Sequence, residues 1–205
     1  MFTGIIKATS PVLRCVPRSG KHEVVISIPQ AFGRLYEGQS IACDGICLTV
    51  NSFDSQSFAV EVMQETWQKT TASTWKANTV LNLEPALRIG DNLDGHWVQG
   101  HIDRTLKLLE HKIIGSTTYL RFELPEQDKQ LLVRQGSIAL NGVSLTVAEL
   151  ASSSFNVALI THTLQHSNLN LLRPGSSVNA EYDVLGKYVL RSLEAGGTNL
   201  MDLLR

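Results

Sequence analysis

The sequence lacks any long run of apolar residues. A membrane-spanning helix needs about 20 consecutive, mostly apolar residues, and no stretch of the 205-residue chain approaches that length. The first ten residues, MFTGIIKATS, also lack the basic and then apolar pattern of a secretory signal peptide. We therefore expect a protein with no membrane partner.

The chain also has no large excess of positive or negative charge, and it has few cysteines. The chain has 18 Lys and Arg against 19 Asp and Glu, a net charge of −1, which does not favour binding to nucleic acid or to an anionic membrane. Only Cys15, Cys43 and Cys47 are present, and so few cysteines fit a reduced, cytoplasmic protein. Cys43 and Cys47 have no second pair to complete a metal site, so no metal is predicted.

What the sequence does contain is an internal repeat. Residues 40–50 read SIACDGICLTV and residues 137–147 read SIALNGVSLTV, an offset of 97 positions (137 minus 40). A match at this offset indicates a duplicated domain rather than a solenoid, whose repeats span roughly 20–50 residues. Further matches at offsets of 96 or 97 extend the repeat, including VVISIP with LRFELP and ETWQ with HTLQ. We predict two domains, residues 1–96 and 97–186, followed by a tail, residues 187–205.

Each copy alternates apolar and polar residues with the period of two that indicates half-buried strands. Asp44-Gly45 and Asn141-Gly142 predict tight hairpins between such strands, because glycine tolerates a positive φ. Several short strands with evenly spaced turns favour a closed β-barrel in each copy. Short helices are predicted after Pro29 (residues 30–36) and after Pro125 (residues 126–135).

The tail shows helical spacing instead. Leu185, Tyr188, Val189 and Leu193 fall on one face of a predicted helix, and Gly196-Gly197 then interrupts the pattern. This apolar face has two open interpretations, self-association or packing against the second barrel.

Six segments together resemble the riboflavin synthase family: MFTGI, GICLTV, MQET, GHWVQGHID, NGVSLTV and YDVLGKYV. They cover nearly the whole chain in order. The resemblance implies an all-β fold of two tandem, duplicated six-stranded Greek-key β-barrels plus a C-terminal α-helix that forms a homotrimer. Each barrel would bind one 6,7-dimethyl-8-ribityllumazine, with active sites between subunits, and lumazine synthase is a candidate partner. The implied reaction is dismutation: a four-carbon unit passes between two lumazines, giving riboflavin and 5-amino-6-(D-ribitylamino)uracil without a cofactor.

The resemblance also implies five catalytic residues, Cys47, His101, Ser144, Thr146 and Asp183. We expect His101 to handle a proton, because imidazole titrates near neutral pH, and Ser144 to hydrogen-bond the ring or a nucleophilic water. Cys47 would assist the acceptor lumazine by transient addition or polar contact, or is simply a small buried side chain. Asp183 would orient His101 or Ser144, or is a strand-end carboxylate.

The matching segments imply one binding pocket in each copy. The first would comprise Gly4, Ile5, Ile6, Cys47, Leu48, Thr49, Glu61, Val62, Met63, Gln64, Glu65 and Thr66. The second would comprise Gly100, His101, Ile102, Ser144, Leu145, Thr146, Ile160, Thr161, His162, Thr163, Leu164 and Gln165. Gln135 stands where some family members carry Lys, and Thr161 stands where Pro is common, so ligand affinity in either pocket could differ.

Two other functions are open. A non-catalytic lumazine- or flavin-binding antenna protein on the same fold needs a pocket but no proton transfer, and such relatives typically lose the polar set that this chain keeps. A structural interaction module would leave the identities of those polar residues unexplained.

Overall fold

The computed structural model describes residues 1–195; the predicted break at Gly196-Gly197 and the rest of the tail lie outside the described residues. The chain forms two closed barrels of six antiparallel strands each. The strands of the first are β1 (Ala8–Arg18), β2 (Lys21–Ser27), β3 (Ser40–Cys43), β4 (Ile46–Phe53), β5 (Ser57–Met63) and β6 (Val80–Pro85). Those of the second are β7 (Arg104–Ile114), β8 (Thr117–Glu123), β9 (Ser137–Leu140), β10 (Val143–Leu150), β11 (Ser154–Leu159) and β12 (Ser177–Tyr182).

The strand order repeats from one barrel to the other. Around the first barrel it is β1-β2-β5-β4-β3-β6, and the second barrel has the matching order β7-β8-β11-β10-β9-β12. In both, a two-stranded hairpin is followed by a three-stranded meander, and the sixth strand closes the barrel between the first and third strands. The predicted all-β, duplicated Greek-key architecture is therefore confirmed.

The barrel interiors follow the period-two pattern. On β5, the side chains of Phe58, Val60 and Val62 are fully buried while the residues between them face outward. On β8 of the second copy, the side chains of Leu120 and Phe122 are fully buried in the same alternating pattern. Burying each such side chain stabilises the fold by roughly 1.5–3 kcal/mol, so the alternation fixes which face of each strand points inward.

Five short helices lie in the connections between the barrel strands. α1 (Gln64–Lys69) follows β5 and α2 (Thr161–His166) follows β11, and each leads into a 3₁₀ helix, Thr71–Thr74 or Asn168–Leu171. The fifth, Glu126–Leu131, is also 3₁₀ and fulfils part of the helix predicted after Pro125. It stops at Leu132, which turns to extended backbone and is buried.

The helix predicted after Pro29 is wrong. Residues 30–36 form a turn and irregular backbone. Gly33 lies in the middle of this segment, and glycine in a helix interior is less favourable than alanine by about 1 kcal/mol. Phe32 and Leu35 on either side are buried in the core of the first barrel, so packing replaces helical hydrogen bonding here.

The two predicted hairpin turns form and meet each other. Asp44 and Gly45 have φ values of 46° and 80°, and Asn141 and Gly142 have 45° and 77°, as a two-residue turn of type I′ requires. A Cβ atom on Gly45 would lie 2.8 Å from the backbone nitrogen of Gly142. The backbones of the two barrels are therefore in direct contact at this point, and neither glycine can carry a side chain.

Buried amides surround this contact. The Nδ2 of Asn82 donates to the carbonyl of Asn141 (2.9 Å), and the Nδ2 of Asn179 donates to the carbonyl of Asp44 (2.9 Å). The Nδ2 of Asn168 also donates to Oδ1 of Asp44, at 2.8 Å. Because buried amides must find partners, this network fixes the position of one barrel relative to the other.

The final helix, α3 (Val184–Glu194), keeps its apolar face open. Its side chains Leu185, Tyr188, Val189 and Leu193 are between 57% and 71% exposed. Lys187 on another face forms an ion pair with Asp103 of the second barrel, at 2.6 Å. The helix thus contacts the second barrel, but its apolar face is not covered by residues 1–195, and self-association through that face stays a prediction. Within residues 1–195, no helix has the length and apolar character required to cross a bilayer.

Candidate active site

Each barrel receives a segment of chain from the other copy. The backbone N–H of Ser144 on β10 donates to the carbonyl of Gly4 (2.8 Å), and that of Cys47 on β4 donates to the carbonyl of Gly100 (2.9 Å). Where the two segments cross, Phe2 and Val98 exchange backbone hydrogen bonds of 2.7 and 3.2 Å. The segment preceding each barrel therefore packs on the other barrel.

Gly4 and Gly100 are required at these crossings. Their φ values are 78° and 83°, in the left-handed region that favours glycine. A Cβ on Gly4 would lie 2.6 Å from Cβ of Ser144, and one on Gly100 would lie 2.5 Å from Cβ of Cys47. Each glycine thus brings a backbone segment into contact with a predicted catalytic residue.

Two buried glutamates hold the crossing segments. Glu84 accepts from the backbone N–H groups of Thr3 (2.7 Å) and Gly4 (2.9 Å). Glu181 accepts from those of Gln99 (2.7 Å), Gly100 (2.8 Å) and His101 (3.1 Å). Burial raises the pKa of both carboxyl groups, and the donated hydrogen bonds partly offset the rise. Glu84 and Glu181 are 97 positions apart (181 minus 84) and so match in the repeat, but the repeat alone does not show this role.

The first pocket lies between β4, α1 and the segment from the second copy. It is a cavity of about 280 Å³ lined by Ile46, Cys47, Glu65, Thr66, Lys69, Thr70, Gly100, His101 and Ile102. Glu65 and Lys69 form an ion pair at its rim, 2.5 Å apart. The pocket therefore combines the thiol of Cys47 with the imidazole of His101.

The second pocket occupies the matching place on the other barrel. It is smaller, about 70 Å³, and is lined by Gly4, Ile5, Ile6, Val143, Ser144, His162, Thr163, His166 and Ser167. Ser144 takes the place of Cys47, and His162 with His166 takes the place of Glu65 with Lys69. The two pockets thus occupy equivalent places on the two barrels and differ in volume and in their polar side chains.

The predicted grouping of pocket residues by copy is wrong. Residues 4–6 lie with Ser144, and residues 100–102 lie with Cys47. The reason is the crossing at Phe2 and Val98, which a sequence repeat cannot show. Within one chain, His101 and Ser144 accordingly belong to different pockets.

Ser144 has a different histidine beside it. The Oγ of Ser144 lies 2.7 Å from Nδ1 of His96, which is buried. Burial lowers the pKa of His96, while the nearby charge of Asp183 acts in the opposite direction. Burial thus favours the neutral imidazole, which is the form that can accept a proton.

Sequence reasoning missed His96. It stands in the segment GHWVQGHID that carries the resemblance, five positions before His101, and only His101 was assigned a role. The charge of Asp183 raises the pKa of His96, and its side chain also caps α3 by accepting from the backbone N–H of Leu185 at 3.0 Å.

The remaining predicted residues occupy varied places. The side chains of Leu48, Val62 and Leu145 lie in the barrel cores and leave only main-chain atoms for a ligand. Residues with exposed side chains on or beside the pocket elements are Thr49, Met63, Gln64, Thr146, Ile160 and Thr161.

Four others lie apart from the two cavities. Glu61 is on the outer face of β5, paired with Lys21 at 2.5 Å. Leu164 and Gln165 line a separate cleft on the second barrel. Gln135 sits in the turn before β9 with a φ of 66°.

Comparison with known proteins agrees with this arrangement. The chain matches the lumazine binding domain family twice, over residues 3–86 and 99–183. Riboflavin synthase of Actinobacillus pleuropneumoniae is 36% identical over 190 residues, covering 92% of this chain and 88% of the relative. Riboflavin synthase of Bacillus subtilis (strain 168) is 33% identical over 199 residues, covering 97% and 93%.

Solved structures share the fold. LumP complexed with 6,7-dimethyl-8-(1'-D-ribityl) lumazine gives a TM-score of 0.80 at 18% identity, covering 89% of this chain and 99% of LumP. LumP complexed with riboflavin gives 0.82 at 19% identity, with the same coverage. From the family match and the curated relatives, the chain belongs to the riboflavin synthase family and is an enzyme of the transferase type.

Proposed function

We propose that the chain catalyses the dismutation of two 6,7-dimethyl-8-ribityllumazine molecules to riboflavin and 5-amino-6-(D-ribitylamino)uracil. The observation that carries the proposal is the pair of pockets at equivalent places with unlike polar groups. Cys47 and His101 line one pocket, and the other is lined by Ser144, whose hydroxyl contacts the buried His96. Two identical substrates must play different roles, and duplicated pockets that have diverged provide two environments. Residues 1–96 and 97–186 would then each form the barrel of one lumazine-binding domain, and each pocket would be completed by the crossing segment of the other copy.

The Ser144–His96 pair is the proposed proton acceptor. The lumazine ring makes its own 7-methyl group acidic, so the protein needs a base and a means of stabilising the exocyclic-methylene anion. His96 is neutral because it is buried, and after accepting a proton through Ser144 it is stabilised by the charge of Asp183. Asp183 would thus act on His96 through its charge.

The first pocket would hold the acceptor lumazine. Cys47 and His101 line it together, so the thiol can add to or contact the ring while the imidazole exchanges a proton. Thr49 and Thr146 are strand residues next to the two pockets, where their hydroxyls would bind the ribityl chains. Holding both rings in facing orientation supplies much of the rate enhancement, because the encounter becomes a positioned reaction.

The active site would form between subunits of a homotrimer. α3 presents an apolar face that nothing within residues 1–195 covers, and a closed cyclic oligomer can bury three copies of such a face around one axis. The first pocket of one subunit would then meet the second pocket of its neighbour, placing His101 near Ser144. The three free cysteines fit a cytosolic location, and association with lumazine synthase stays a prediction from the resemblance.

A non-catalytic lumazine-binding role on the same fold is the second candidate. It is consistent with two pockets, and LumP has been solved with both lumazine and riboflavin bound. It gives no reason for a buried histidine 2.7 Å from the Ser144 hydroxyl, with an acidic residue near enough to affect its pKa. The enzyme is therefore favoured.

Incubation with 6,7-dimethyl-8-ribityllumazine tests the proposal through riboflavin absorbance. We expect turnover by the wild type and a loss of about 10²–10⁴-fold in Ser144→Ala and His96→Gln, typical of removing acid–base catalysis. Lumazine affinity should change far less, because both groups act in the reacting state. His111→Gln, outside both pockets, is the control. Binding without turnover by the wild type would favour the non-catalytic role.

A further inference from the structure

Helix α2 carries two histidines at the rim of the second pocket. His162 and His166 are four positions apart and so share one face of the helix. Their ring centroids are 4.2 Å apart with planes inclined by 20°. Both side chains are exposed, and both line the cavity that contains Ser144. The proton transfer proposed above does not use this pair of rings.

The hydrogen bonding of His166 determines which of its ring nitrogens is free. Nδ1 of His166 lies 2.8 Å from the carbonyl oxygen of His162. A carbonyl oxygen only accepts, so Nδ1 must carry the hydrogen, and Nε2 of the neutral ring then holds an available lone pair. A ring N–H bonded to a backbone carbonyl is the arrangement that orients histidine ligands in metal sites.

The matching positions on α1 show what the second copy has replaced. Glu65 and Lys69, each 97 positions earlier (162 minus 65, 166 minus 69), form an ion pair at the rim of the first pocket. That pair satisfies its own charges, and its ammonium is not a metal ligand. Two adjacent imidazoles instead offer two nitrogen donors, and they repel each other if both are protonated.

We propose that His162 and His166 bind one divalent transition-metal ion through their Nε2 atoms at the rim of the second pocket, once one of the two exposed rings has rotated out of the stack so that both lone pairs face the ion. Imidazole nitrogens suit Zn²⁺, Ni²⁺ and Cu²⁺, whereas Mg²⁺ and Ca²⁺ prefer oxygen. Within residues 1–195 no third His, Cys, Asp or Glu completes the set, so the other coordination positions are left to water. Binding is strongest for Cu²⁺ and weakens in acid, because protons compete for the same nitrogens.

A metal ion at this rim would obstruct entry to the cavity beside Ser144. The consequence rests on the function proposed above: metal occupancy inhibits riboflavin formation, and a chelator restores it. The first pocket has Glu65 and Lys69 at its rim and therefore lacks an equivalent pair of imidazole ligands.

Titration calorimetry of the full chain with Zn²⁺ and Ni²⁺ tests the site without substrate. We expect about one ion per chain at micromolar affinity, weakened about ten-fold or more in His162→Gln and in His166→Gln. His111→Gln is the matched control, because Nδ1 of His111 also faces a backbone carbonyl, that of Leu172, at 3.2 Å. No binding at millimolar metal, or equal binding by wild type and both Gln variants, overturns the site.

The double variant His162→Glu with His166→Lys rebuilds the ion pair of the first copy. It should not bind the metal, and its thermal unfolding shows whether the exposed substitutions leave the barrel intact. Riboflavin formation by the wild type is then followed as metal is added. If the enzyme is active and binds the metal without being inhibited, the metal ion does not lie at the pocket entrance. If the protein shows no turnover at all, the proposed function fails, but the calorimetric test of the metal site still stands.

Discussion

Asp44 and Asn141 occupy the same position in the two copies, yet only Asp44 can ionise. Each side chain accepts a backbone N–H at 2.8 Å, from Asn82 or from Asn179. Asp44 is buried at the contact between the barrels, and burial raises its pKa from 3.8 to about 7. Hydrogen bonds from Asn82 and Asn168 act in the opposite direction but do not cancel the effect.

This shift predicts a pH-dependent stability. The folded-state pKa of Asp44 lies above its unfolded value, so the folded state holds the proton more tightly. The free energy of unfolding should therefore fall as pH rises from about 4 to about 7, and level off above that. One pKa unit corresponds to about 1.4 kcal/mol, so the loss attributable to Asp44 is on the order of 4 kcal/mol at most.

Urea unfolding of wild type and Asp44→Asn at pH 5 and pH 8 measures this effect. The variant copies the residue of the second barrel, and its Oδ1 can still accept from Asn82 and Asn168. We expect the variant to gain stability relative to wild type between pH 5 and pH 8, by a few kcal/mol. A stability difference that does not change with pH would show that Asp44 has an ordinary pKa.

At the scale of elements, the two copies provide matched turns. Gly38 precedes β3 with a φ of 84°, and Gln135 precedes β9 with a φ of 66°. Each donates its backbone N–H across the turn at 2.9 Å, to Val50 or to Val147. The backbone conformation is thus the same, but only one copy has the residue that adopts it without strain.

Gln135→Gly should therefore stabilise the protein, by about 0.5–1 kcal/mol after the greater freedom of glycine in the unfolded chain is deducted. Gly38→Ala should destabilise it by a similar or larger amount. Both are measured by urea unfolding at a pH above 8, where the titration of Asp44 does not interfere. Destabilisation by Gln135→Gly would mean that the side chain of Gln135 makes a contact worth more than the strain.

The strands and hairpins could be predicted because they depend on local chemistry. Alternation on β5 and the turn at Asp44-Gly45 follow from side-chain polarity and from the φ that glycine allows. The failed helix at residues 30–36 reflects packing of Phe32 and Leu35, which a local pattern does not reveal. The 3₁₀ form of Glu126–Leu131 likewise depends on Leu132 reaching the core.

The sequence predicted which residues form the site, but it did not predict which of them share a pocket. Cys47, His101 and Ser144 were found by resemblance and do line cavities. Which of them lie together depends on the backbone crossing at Phe2 and Val98, a contact between segments almost a hundred positions apart. The partnership of His96 with Ser144 depends on the same crossing, because the backbone N–H of His96 donates to the carbonyl of Thr3 at 3.1 Å.

At the scale of the whole molecule, the crossed segments make the two barrels interdependent. Each pocket takes its wall from the other copy, so neither half of the chain contains a complete pocket. The described part of the chain, residues 1–195, leaves the apolar face of α3 uncovered. The proposed reaction also needs the first pocket of one subunit to face the second pocket of another. Activity should therefore depend on assembly through α3.

Leu185→Asp with Val189→Asp tests this dependence. Both side chains are more than half exposed in the single chain, so the change should leave the barrels folded and able to bind lumazine. In a trimer, each buried Leu- or Val-sized side chain contributes roughly 1.5–3 kcal/mol, and three subunits would bury charge instead. We expect the trimer to dissociate and riboflavin formation to rise steeply with protein concentration. The measurements are sedimentation velocity and activity over one dilution series, and the exposed Glu194→Gln is the control. Full activity in a monomer would contradict the prediction, because both lumazines would then lie within a single chain.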